Sequence, residues 1–412
     1  MIKDPLLTNE EKRIAVYSDD RKPTNASLVV QETPLESLNL NWSEKELPER
    51  IRTKHVHRLH PYLGKFIPQL VEVFMRKYFS PGQTVLDPFC GSGTTLVQAN
   101  ELGINSIGYD VSAFNVLLCK AKVKQYDPIK VKKEILDILE KVKKNTQKDT
   151  RQPSLWDVSF TEHENSTDDQ YLRDWFSPQA LSELITYRNY IESSDYEYKD
   201  LMQIILSRSA RSARLVTHYD LDFPKKPQTT EYYCYKHSRV CFPTNEAYKF
   251  LHRYSLDTIK RVIEFNKLRT DATVEIYHAD SRNGDFPRIN GVITSPPYVG
   301  LIDYHEQHVY AYHLLGLEDK RIDEIGSAVN GSSQKARQQY QSDLAKVFQH
   351  AAVSMHSGER IIVIAGDKYD LYGEIAKQAG VEVEDVITRH VNRRTGRRST
   401  DFFESLFIWR KP

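Results

Sequence analysis

The feature that most constrains the fold is an apolar stretch that runs into a glycine turn, T-V-L-D-P-F-C-G-S-G-T-T, at residues 84–95. Residues 84–90 have the pattern of a buried strand, and the residues after the glycines, up to Gly103, have the pattern of a helix. A second strand is predicted at residues 105–111, and Ser112 is placed to cap the helix after it. Strand, glycine turn, helix and strand in this order predict the first half of a doubly wound, Rossmann-like α/β sheet.

Later segments with the same kind of apolar pattern complete this predicted sheet. Further strands are expected at residues 273–280, from Gly291 onward, and at residues 360–367, 382–391 and 404–409. Helices are expected at residues 67–79, 342–355 and 372–379. The last two strands are expected to pair antiparallel across a basic loop. The predicted fold class is therefore α/β, with a doubly wound seven-stranded Rossmann-like sheet.

A long insertion interrupts the predicted sheet between its second and third strands. Residues 125–270 have mostly helical patterns, at 179–192 and 246–266, around a tyrosine-rich irregular middle. The sheet domain is accordingly assigned to residues 51–124 and 271–412. Residues 1–50 are polar with weak periodicity, which predicts a loosely attached N-terminal arm.

Composition narrows the class of protein further. The chain has 412 residues, of which 40% are hydrophobic, and this is enough for a sizeable core. Four cysteines in this length argue against a disulfide framework. We find neither an apolar run of about eighteen residues nor a signal peptide, so we expect a cytoplasmic protein with no membrane partner.

Three acids end three successive predicted strands. Asp87, Asp110 and Asp280 fall at the carboxyl ends of the first, second and third strands, and these ends share one edge of such a sheet. The turn lacks the third glycine of a dinucleotide fingerprint and the lysine of a phosphate loop. An acidic rim without phosphate-binding groups suits a neutral or cationic nucleoside, such as S-adenosylmethionine. The alternative is that the acids only form turns and cap helices.

The fourth predicted strand stops at T-S-P-P-Y, residues 294–298. Two prolines in a row leave rigid backbone that offers carbonyl oxygens and no amide donors. The Ser295 hydroxyl and the Pro296 carbonyl are then placed to accept hydrogen bonds from an exocyclic amine, and Tyr298 to stack on the base that carries it. Such a base has to leave its duplex first.

Together, D-P-F-C-G-S-G-T-T and T-S-P-P-Y resemble the cofactor and catalytic motifs of the DNA amino-methyltransferases, which methylate cytosine N4 or adenine N6. The resemblance covers residues 59–123 and 273–409 and includes H-P-Y-L-G-K-F-I-P before the first strand. It implies S-adenosylmethionine as cofactor, double-stranded DNA as partner, and a role in a bacterial or archaeal restriction-modification or defence system, with a cognate restriction endonuclease as a further expected partner. The residues that it assigns to catalysis are Ser295, Pro296, Pro297 and Tyr298. Those that it assigns to the cofactor are Lys65, Phe66, Ile67, Asp87, Phe89, Cys90, Gly91, Gly93, Thr94, Asp110, Val111, Asp280 and Ser281.

Within such families S-P-P-Y is more typical of cytosine-N4 enzymes, and Ser295 therefore favours cytosine N4 over adenine N6. Methylation of cytosine C5 is disfavoured, because it needs a cysteine nucleophile and the sequence has no Pro-Cys pair. Two alternatives stay open: an enzyme that methylates guanine N2 in RNA, and a catalytically silent subunit that binds nucleic acid.

Candidates for DNA contact are less specific. The insertion is the candidate target-recognition region, and its S-R-S-A-R-S-A-R stretch predicts a helix with a basic face. Side chains after the catalytic motif are candidates for lining the base pocket, and the alternative for Tyr310 and Tyr312 is that they pack within a helix. The residues assigned to DNA contact are Arg208, Arg211, Arg214, Asp303, Tyr304, Arg393, Arg394, Arg397 and Arg398.

A cysteine-histidine cluster in the insertion raises the question of a metal. Cys234, His237 and Cys241 form C-x-x-H-x-x-x-C, with His218 or His252 as a possible fourth ligand. Zinc sites usually combine two paired sets of ligands, and this spacing is incomplete. The sequence therefore favours packing cysteines and a surface histidine, and we assign no metal site from it.

Overall fold

The computed structural model describes residues 21–64, 66–146, 167–300, 304–327, 331–391 and 402–412. Its strands are β1 (Thr84–Asp87), β2 (Asn105–Asp110), β3 (Tyr232–Cys234), β4 (Arg239–Cys241), β5 (Val274–His278), β6 (Gly291–Thr294), β7 (Arg360–Ala365), β8 (Glu382–Val391) and β9 (Phe402–Arg410). Its helices are α1 (Glu49–Arg52), α2 (Pro68–Tyr78), α3 (Thr94–Glu101), α4 (Ala113–Val123), α5 (Pro128–Thr146), α6 (Gln170–Trp175), α7 (Pro178–Ser193), α8 (Lys199–Ala213), α9 (Tyr248–Asn266), α10 (Tyr304–Gln307), α11 (Val309–Leu315), α12 (Gln334–Val353) and α13 (Tyr372–Ala379).

Seven of these strands form one sheet in the order β5-β2-β1-β6-β7-β9-β8. All neighbours pair parallel except β9, which runs antiparallel to both β7 and β8. This confirms the predicted doubly wound sheet and its antiparallel last pair. The chain order reverses between β1 and β6, and ligands bind outside the carboxyl ends of strands at such a switch point.

Side chains of the central strands alternate between two buried faces. Leu86, Ile361 and Val363 belong to one apolar cluster, which α12 and α13 cover. Their chain neighbours Val85 and Ile362 belong to another, which α2 covers. Burial on both faces explains why the strands are almost wholly apolar in sequence.

The N-terminal segment is packed rather than loose where the structure describes it. Ala26, Leu38 and Leu40 are buried against the face of the sheet that α2 covers. The Asn41 carboxamide oxygen accepts a hydrogen bond of 2.7 Å from the amide of His390 on the edge strand β8. The segment therefore covers one end of the sheet, and its few apolar residues are too irregularly spaced for the sequence to have revealed it.

The insertion shares an apolar core with the sheet domain. The expected helices are confirmed as α7 and α9, and Phe114 and Leu118 of α4 lie in the same cluster as apolar residues of the insertion helices. Tyr310 and Tyr312 of α11 join this cluster, in agreement with the expectation that they pack within a helix. The small antiparallel hairpin β3–β4 was not predicted. None of the helices in the described ranges is long and apolar enough to cross a membrane.

Candidate active site

The turn between β1 and α3 needs its glycines. Gly91 and Gly93 have φ angles of +47° and +75°, which side-chain-bearing residues adopt only with strain. A Cβ atom on Gly93 would lie 2.8 Å from the sulfur of Cys119 on α4. The glycines thus let the turn pack tightly on α4 at the carboxyl end of the sheet.

Asp110, at the end of β2, holds this turn in place. Its carboxylate accepts hydrogen bonds from the Gly91 amide at 2.8 Å, the Ser112 amide at 2.8 Å and the Asn115 carboxamide at 3.1 Å. Burial raises the pKa of Asp110, and these donors offset part of that shift. The second strand is thereby tied to the glycine turn, and the acid lines the cleft beside it.

Asp87, at the end of β1, lies behind the cleft rather than in its lining. It is 1% exposed, and its Oδ1 atom accepts hydrogen bonds from the Thr294 hydroxyl at 2.6 Å and the Phe89 amide at 3.2 Å. Its Oδ2 atom is buried and accepts no hydrogen bond from the described residues. Burial raises the pKa of Asp87 to about 6, against the opposing effect of the hydroxyls of Thr294 and Thr95. The bond to Thr294 joins the cofactor turn directly to the T-S-P-P-Y segment.

A cleft opens at the carboxyl ends of β1, β2 and β6. Residues of both sequence motifs line it, because Phe89 and Gly91 lie on one side and Ser295 and Pro297 on the other. Among the other residues assigned to the cofactor, the lining includes Phe66, Cys90, Thr94, Asp110, Val111, Asp280 and Ser281. The structure therefore brings the two motifs to one cleft.

The T-S-P-P-Y segment is held by two tyrosines behind it. The Tyr340 hydroxyl donates a hydrogen bond of 2.8 Å to the Pro297 carbonyl and lies 2.7 Å from the Tyr372 hydroxyl. Pro296 is buried and Ser295 is half-buried. Within the described residues, no hydrogen bond uses the Ser295 hydroxyl or the Pro296 carbonyl. Two acceptors thus remain available beside the cleft.

Tyr298 connects the motif to the last strand. Its hydroxyl donates to the Glu404 carboxylate at 3.3 Å, and its ring centre is 6.3 Å from that of Phe402. Glu404 in turn forms a buried ion pair with Arg389 of β8 at 2.9 Å. The ring is therefore tethered to the base of the β8–β9 hairpin.

Asp280 lines the cleft, but its carboxylate is already engaged. Arg282 contacts both carboxylate oxygens at 2.9–3.0 Å through its Nε atom and also reaches Asp343 at 3.4 Å. The adjacent Ser281 hydroxyl donates to the Pro88 carbonyl. The end of β5 is thus fastened to the end of β1.

The remaining cofactor residues assigned from sequence lie behind the cleft or outside the described residues. Ile67 caps α2 and packs on the apolar cluster beneath it, and Gly93 contacts α4. Lys65 falls outside the described residues.

Several lining residues were missed by sequence reasoning. Tyr62 lies over the glycine turn and accepts a hydrogen bond of 3.2 Å from Asn115. Glu324 and Ile325 also line the cleft, and Glu324 pairs with the buried ring of His305. The motif H-P-Y-L-G carried a signal for Tyr62, whereas residues 323–325 follow no periodic pattern.

The arginines of α8 do not form an exposed basic face. Arg208 is 9% exposed and pairs with Asp257 at 2.7 Å, and Arg211 pairs with Asp222. Arg214 is 3% exposed, donates to the Leu221 carbonyl at 2.6 Å and lies over the ring of Tyr310. Of the other residues assigned to DNA contact, Asp303, Arg393, Arg394, Arg397 and Arg398 lie outside the described residues, as does the side chain of Tyr304.

Two buried acids, Asp110 in the lining of the cleft and Asp87 behind it, fit S-adenosylmethionine as the ligand. Asp87 and Asp110 are buried carboxylates with raised pKa values, and neither forms an ion pair with a described lysine or arginine. A ligand that carries a sulfonium and an ammonium group would supply the missing positive charge. The seven-stranded sheet, its glycine turn and this cleft define an S-adenosylmethionine-dependent methyltransferase.

Comparison with known proteins gives the family. A family model described as DNA methylase matches residues 3–120. The Type II methyltransferase M.MjaII of Methanocaldococcus jannaschii is 37% identical over 88% of this chain and 81% of that protein. Two further Type II methyltransferases are each 26% identical: M.BsoBI of Geobacillus stearothermophilus, over 67% of this chain and 56% of that protein, and M.MvaI of Kocuria varians, over 43% and 36%. The chain belongs to the family of DNA amino-methyltransferases, which use S-adenosylmethionine to methylate exocyclic amines of DNA bases.

Proposed function

We propose that this chain methylates the N4 amine of cytosine in double-stranded DNA, as the modification enzyme of a restriction-modification system. The observation that carries the proposal is the position of Ser295 and Pro297 in the same cleft as Gly91 and Asp110. The relatives named Type II methyltransferases support the restriction-modification role, with a cognate endonuclease as partner.

Ser295 and Pro296 orient the amine. The exocyclic nitrogen is a poor nucleophile because its lone pair is delocalised into the base. Its two N–H groups would donate to the Ser295 hydroxyl and the Pro296 carbonyl, which no described group engages. Tyr340 fixes the next carbonyl, that of Pro297, so the acceptors are held in place before the base arrives. The lone pair is then turned toward the methyl donor.

S-adenosylmethionine, when bound, supplies an activated methyl group that needs no further activation by the protein. Orientation and fixed dipoles therefore provide most of the rate enhancement, and no strong general base is required. The carboxylates at the ends of β1 and β2 hold the glycine turn that faces the donor.

Tyr298 provides a flat surface for the everted base. Stacking of a base on an aromatic ring contributes about 1–3 kcal/mol. The bond from the Tyr298 hydroxyl to Glu404, itself paired with Arg389, fixes the orientation of the ring. We propose that Arg389 and Glu404 act as positioning residues for this ring.

The β8–β9 hairpin also provides the proposed phosphate contacts. Val391 and Phe402 pair at its base, and Phe402 lies beside Tyr298. The sequence between them carries Arg393, Arg394, Arg397 and Arg398, and guanidinium groups form bidentate contacts with phosphates. The duplex would then be gripped next to the site where the base is turned out. We further propose that the insertion contributes to the choice of target sequence.

The product distinguishes cytosine N4 from adenine N6. The purified chain is incubated with unmodified DNA and isotopically labelled S-adenosylmethionine, and the DNA is digested to nucleosides for mass spectrometry. We expect labelled N4-methylcytosine and no N6-methyladenine. Labelled N6-methyladenine would refute the choice of base and leave the family unaffected, and label in tRNA but not in DNA would refute the DNA substrate.

The restriction-modification role has its own test. Genomic DNA from cells that express the chain is sequenced for modified bases and then challenged with restriction enzymes that cut at the modified sequence. We expect methylation at one short sequence and resistance to cleavage there. Scattered modification without a defined sequence would contradict the role.

A further inference from the structure

A second chemical cluster lies in the insertion, outside the cleft. His218 comes from the segment after α8, and Cys234, His237 and Cys241 come from the β3–β4 hairpin. One ligand atom of each of the four residues lies within 4.8 Å of all the others. None of the four lines the active-site cleft.

The β3–β4 hairpin places its two cysteine thiols on the same face. Cys234 pairs with Arg239 and Cys241 with Tyr232, so the two cysteines are offset by two residues and share a face of the ribbon. The turn between the strands is tight, because the His237 amide donates to the Cys234 carbonyl at 3.1 Å and Ser238 has a φ angle of +51°. This turn brings the His237 ring back over both sulfurs.

The distances match tetrahedral coordination. The Nδ1 atom of His237 lies 3.5 Å from the sulfur of Cys234 and 3.5 Å from that of Cys241. With zinc–sulfur bonds of about 2.3 Å and zinc–nitrogen bonds of about 2.05 Å, neighbouring ligands of a tetrahedral ion lie about 3.6 Å apart. The observed separations are those of ligands around one ion.

Hydrogen bonds account for the cluster less well. A neutral imidazole nitrogen has either one proton or one lone pair, so Nδ1 of His237 can serve only one of the two sulfurs well. The Nδ1 atom of His218 is buried and has no hydrogen-bond partner in the described parts of the chain. A shared cation would satisfy both histidines and both sulfurs at once.

Apolar packing does not explain the buried cysteines either. Cys234 and Cys241 are 0% and 7% exposed, yet neither belongs to an apolar cluster of the described residues, in contrast to Cys90 and Cys119. The hairpin strands have three residues each, and the Tyr233 side chain is 52% exposed. A two-stranded ribbon of this size is not stable alone in water, so something other than a hydrophobic core has to hold it.

We propose that His218, Cys234, His237 and Cys241 bind a structural zinc ion. Two thiolates and two neutral imidazoles balance the charge of Zn²⁺, and the two thiol protons are released when the ion binds. The four ligands fill a closed site with no position for a substrate, so the ion stabilises structure. It joins the hairpin to the segment after α8, and His252 takes no part.

A second group of metal-binding side chains in the described residues, His55, His57 and Glu101, is a weaker candidate. Glu101 is already bonded to Lys54 at 2.6 Å and to His55 at 2.8 Å, so an ion would have to compete with an existing ion pair. Any experiment on metal content therefore has to assign the ion to one of the two groups.

Elemental analysis of the full-length protein, expressed with added zinc and freed of loosely bound metal by gel filtration, tests the proposal. We expect about one zinc per chain in the wild type. The control variant His252→Ala, which changes an exposed histidine of the same insertion, should also contain about one zinc per chain. The zinc content of Cys241→Ser and of His218→Ala should be at least fivefold lower. Replacement by Co²⁺ should give the absorption bands of a tetrahedral ion with thiolate ligands, and removal of the metal by a chelator should speed amide hydrogen exchange in residues 217–241. The exchange measurement uses the wild type, so it stands even if a variant fails to fold.

Three results would overturn the proposal. The first is a wild-type protein that contains no zinc and gives no cobalt bands. The second is a zinc content that Cys241→Ser and His218→Ala leave unchanged, which would place the ion elsewhere. The third is a disulfide between Cys234 and Cys241 in freshly purified protein, detected as a mass loss of two hydrogens.

Discussion

Asp87→Asn should change how thermal stability depends on pH. The pKa of Asp87 is raised by burial from its usual 3.8 to about 6. Between these values the folded protein binds more protons than the unfolded chain, so the stability that this group contributes is present at low pH and is lost as pH rises toward 6. This change of stability with pH is opposite in sign to that of an ion-paired carboxylate, whose contribution to stability is lost as the pH falls. The substituted carboxamide keeps an acceptor for Thr294 and Phe89 but has no charge to bury.

The size of this pH-dependent loss of stability follows from the shift in the pKa of Asp87. About two pKa units at about 1.36 kcal/mol each set a limit of roughly 3 kcal/mol, of which about 2 kcal/mol is lost between pH 4.5 and pH 7.5, because the unfolded carboxyl is already mostly ionised at pH 4.5. For 412 residues the unfolding entropy is about 0.9 kcal/mol per kelvin. The melting temperature of Asp87→Asn relative to that of the wild type should therefore rise by about 2 °C from pH 4.5 to pH 7.5, on top of any effect of the substitution that does not depend on pH.

Scanning fluorimetry at half-unit intervals from pH 4.5 to pH 7.5 measures this difference. Asp285→Asn, which removes an exposed carboxylate, is the matched control and should give a flat difference. A flat or falling difference for Asp87→Asn would refute the reasoning from burial. Saturating S-adenosylmethionine should shrink the wild-type dependence, because its positive charges stabilise the carboxylate, and no shrinkage would show that Asp87 does not sense the ligand.

Three further predictions concern the cleft. Ser295→Ala should lower kcat by about 10²-fold or more and leave the Kd of S-adenosylmethionine unchanged. Asp110→Ala should instead raise that Kd by roughly 10- to 100-fold, since a hydrogen bond to a charged group contributes about 1.5–3 kcal/mol. Calorimetry with single-turnover kinetics separates the two effects, and weaker cofactor binding in folded Ser295→Ala would contradict the assignment. Tyr298→Ala should lower kcat/KM by roughly 5- to 150-fold through lost stacking, and Tyr298→Phe by less, so equal losses would show that the hydroxyl matters more than the ring. Gly93→Ala should lower the melting temperature and the affinity for the cofactor more than Gly82→Ala does. Both glycines have positive φ angles, but only a Cβ atom on Gly93 would meet another atom, at 2.8 Å. Equal effects of the two substitutions would show that backbone strain alone decides.

The sheet could be predicted because its strands are buried on both faces. A strand such as β7, whose residues after Arg360 are all buried, gives an unbroken apolar run that ends at turn residues. The order of the strands depends on pairings between distant parts of the chain, and it follows only from the likeness to a known fold. The hairpin β3–β4 was missed because its strands have three residues each and its tyrosines give no alternating pattern.

The residues predicted in turns lie together at one cleft, whereas the predicted basic face does not form because distant partners pair with its arginines. The glycines, Asp110 and Ser295 lie in short segments whose conformation is set locally. The arginines of α8 have the spacing of an exposed face, but Asp257 on α9 and Asp222 in the next loop neutralise two of them. A single sequence does not show that these acids lie beside them. Glu324 reaches the cleft in the same way, through a segment with no pattern of its own.

Because α4 and the insertion share one apolar core, the insertion cannot be deleted or replaced without affecting α4. Phe114, Leu117 and Leu118 of α4 bury their side chains against helices from residues 128–266, while Cys119 of the same helix contacts the glycine turn. Removal of the insertion would expose apolar side chains of the helix that packs against the glycine turn. A shortened enzyme, or a hybrid with the insertion of a relative, would therefore need new residues on α4 as well.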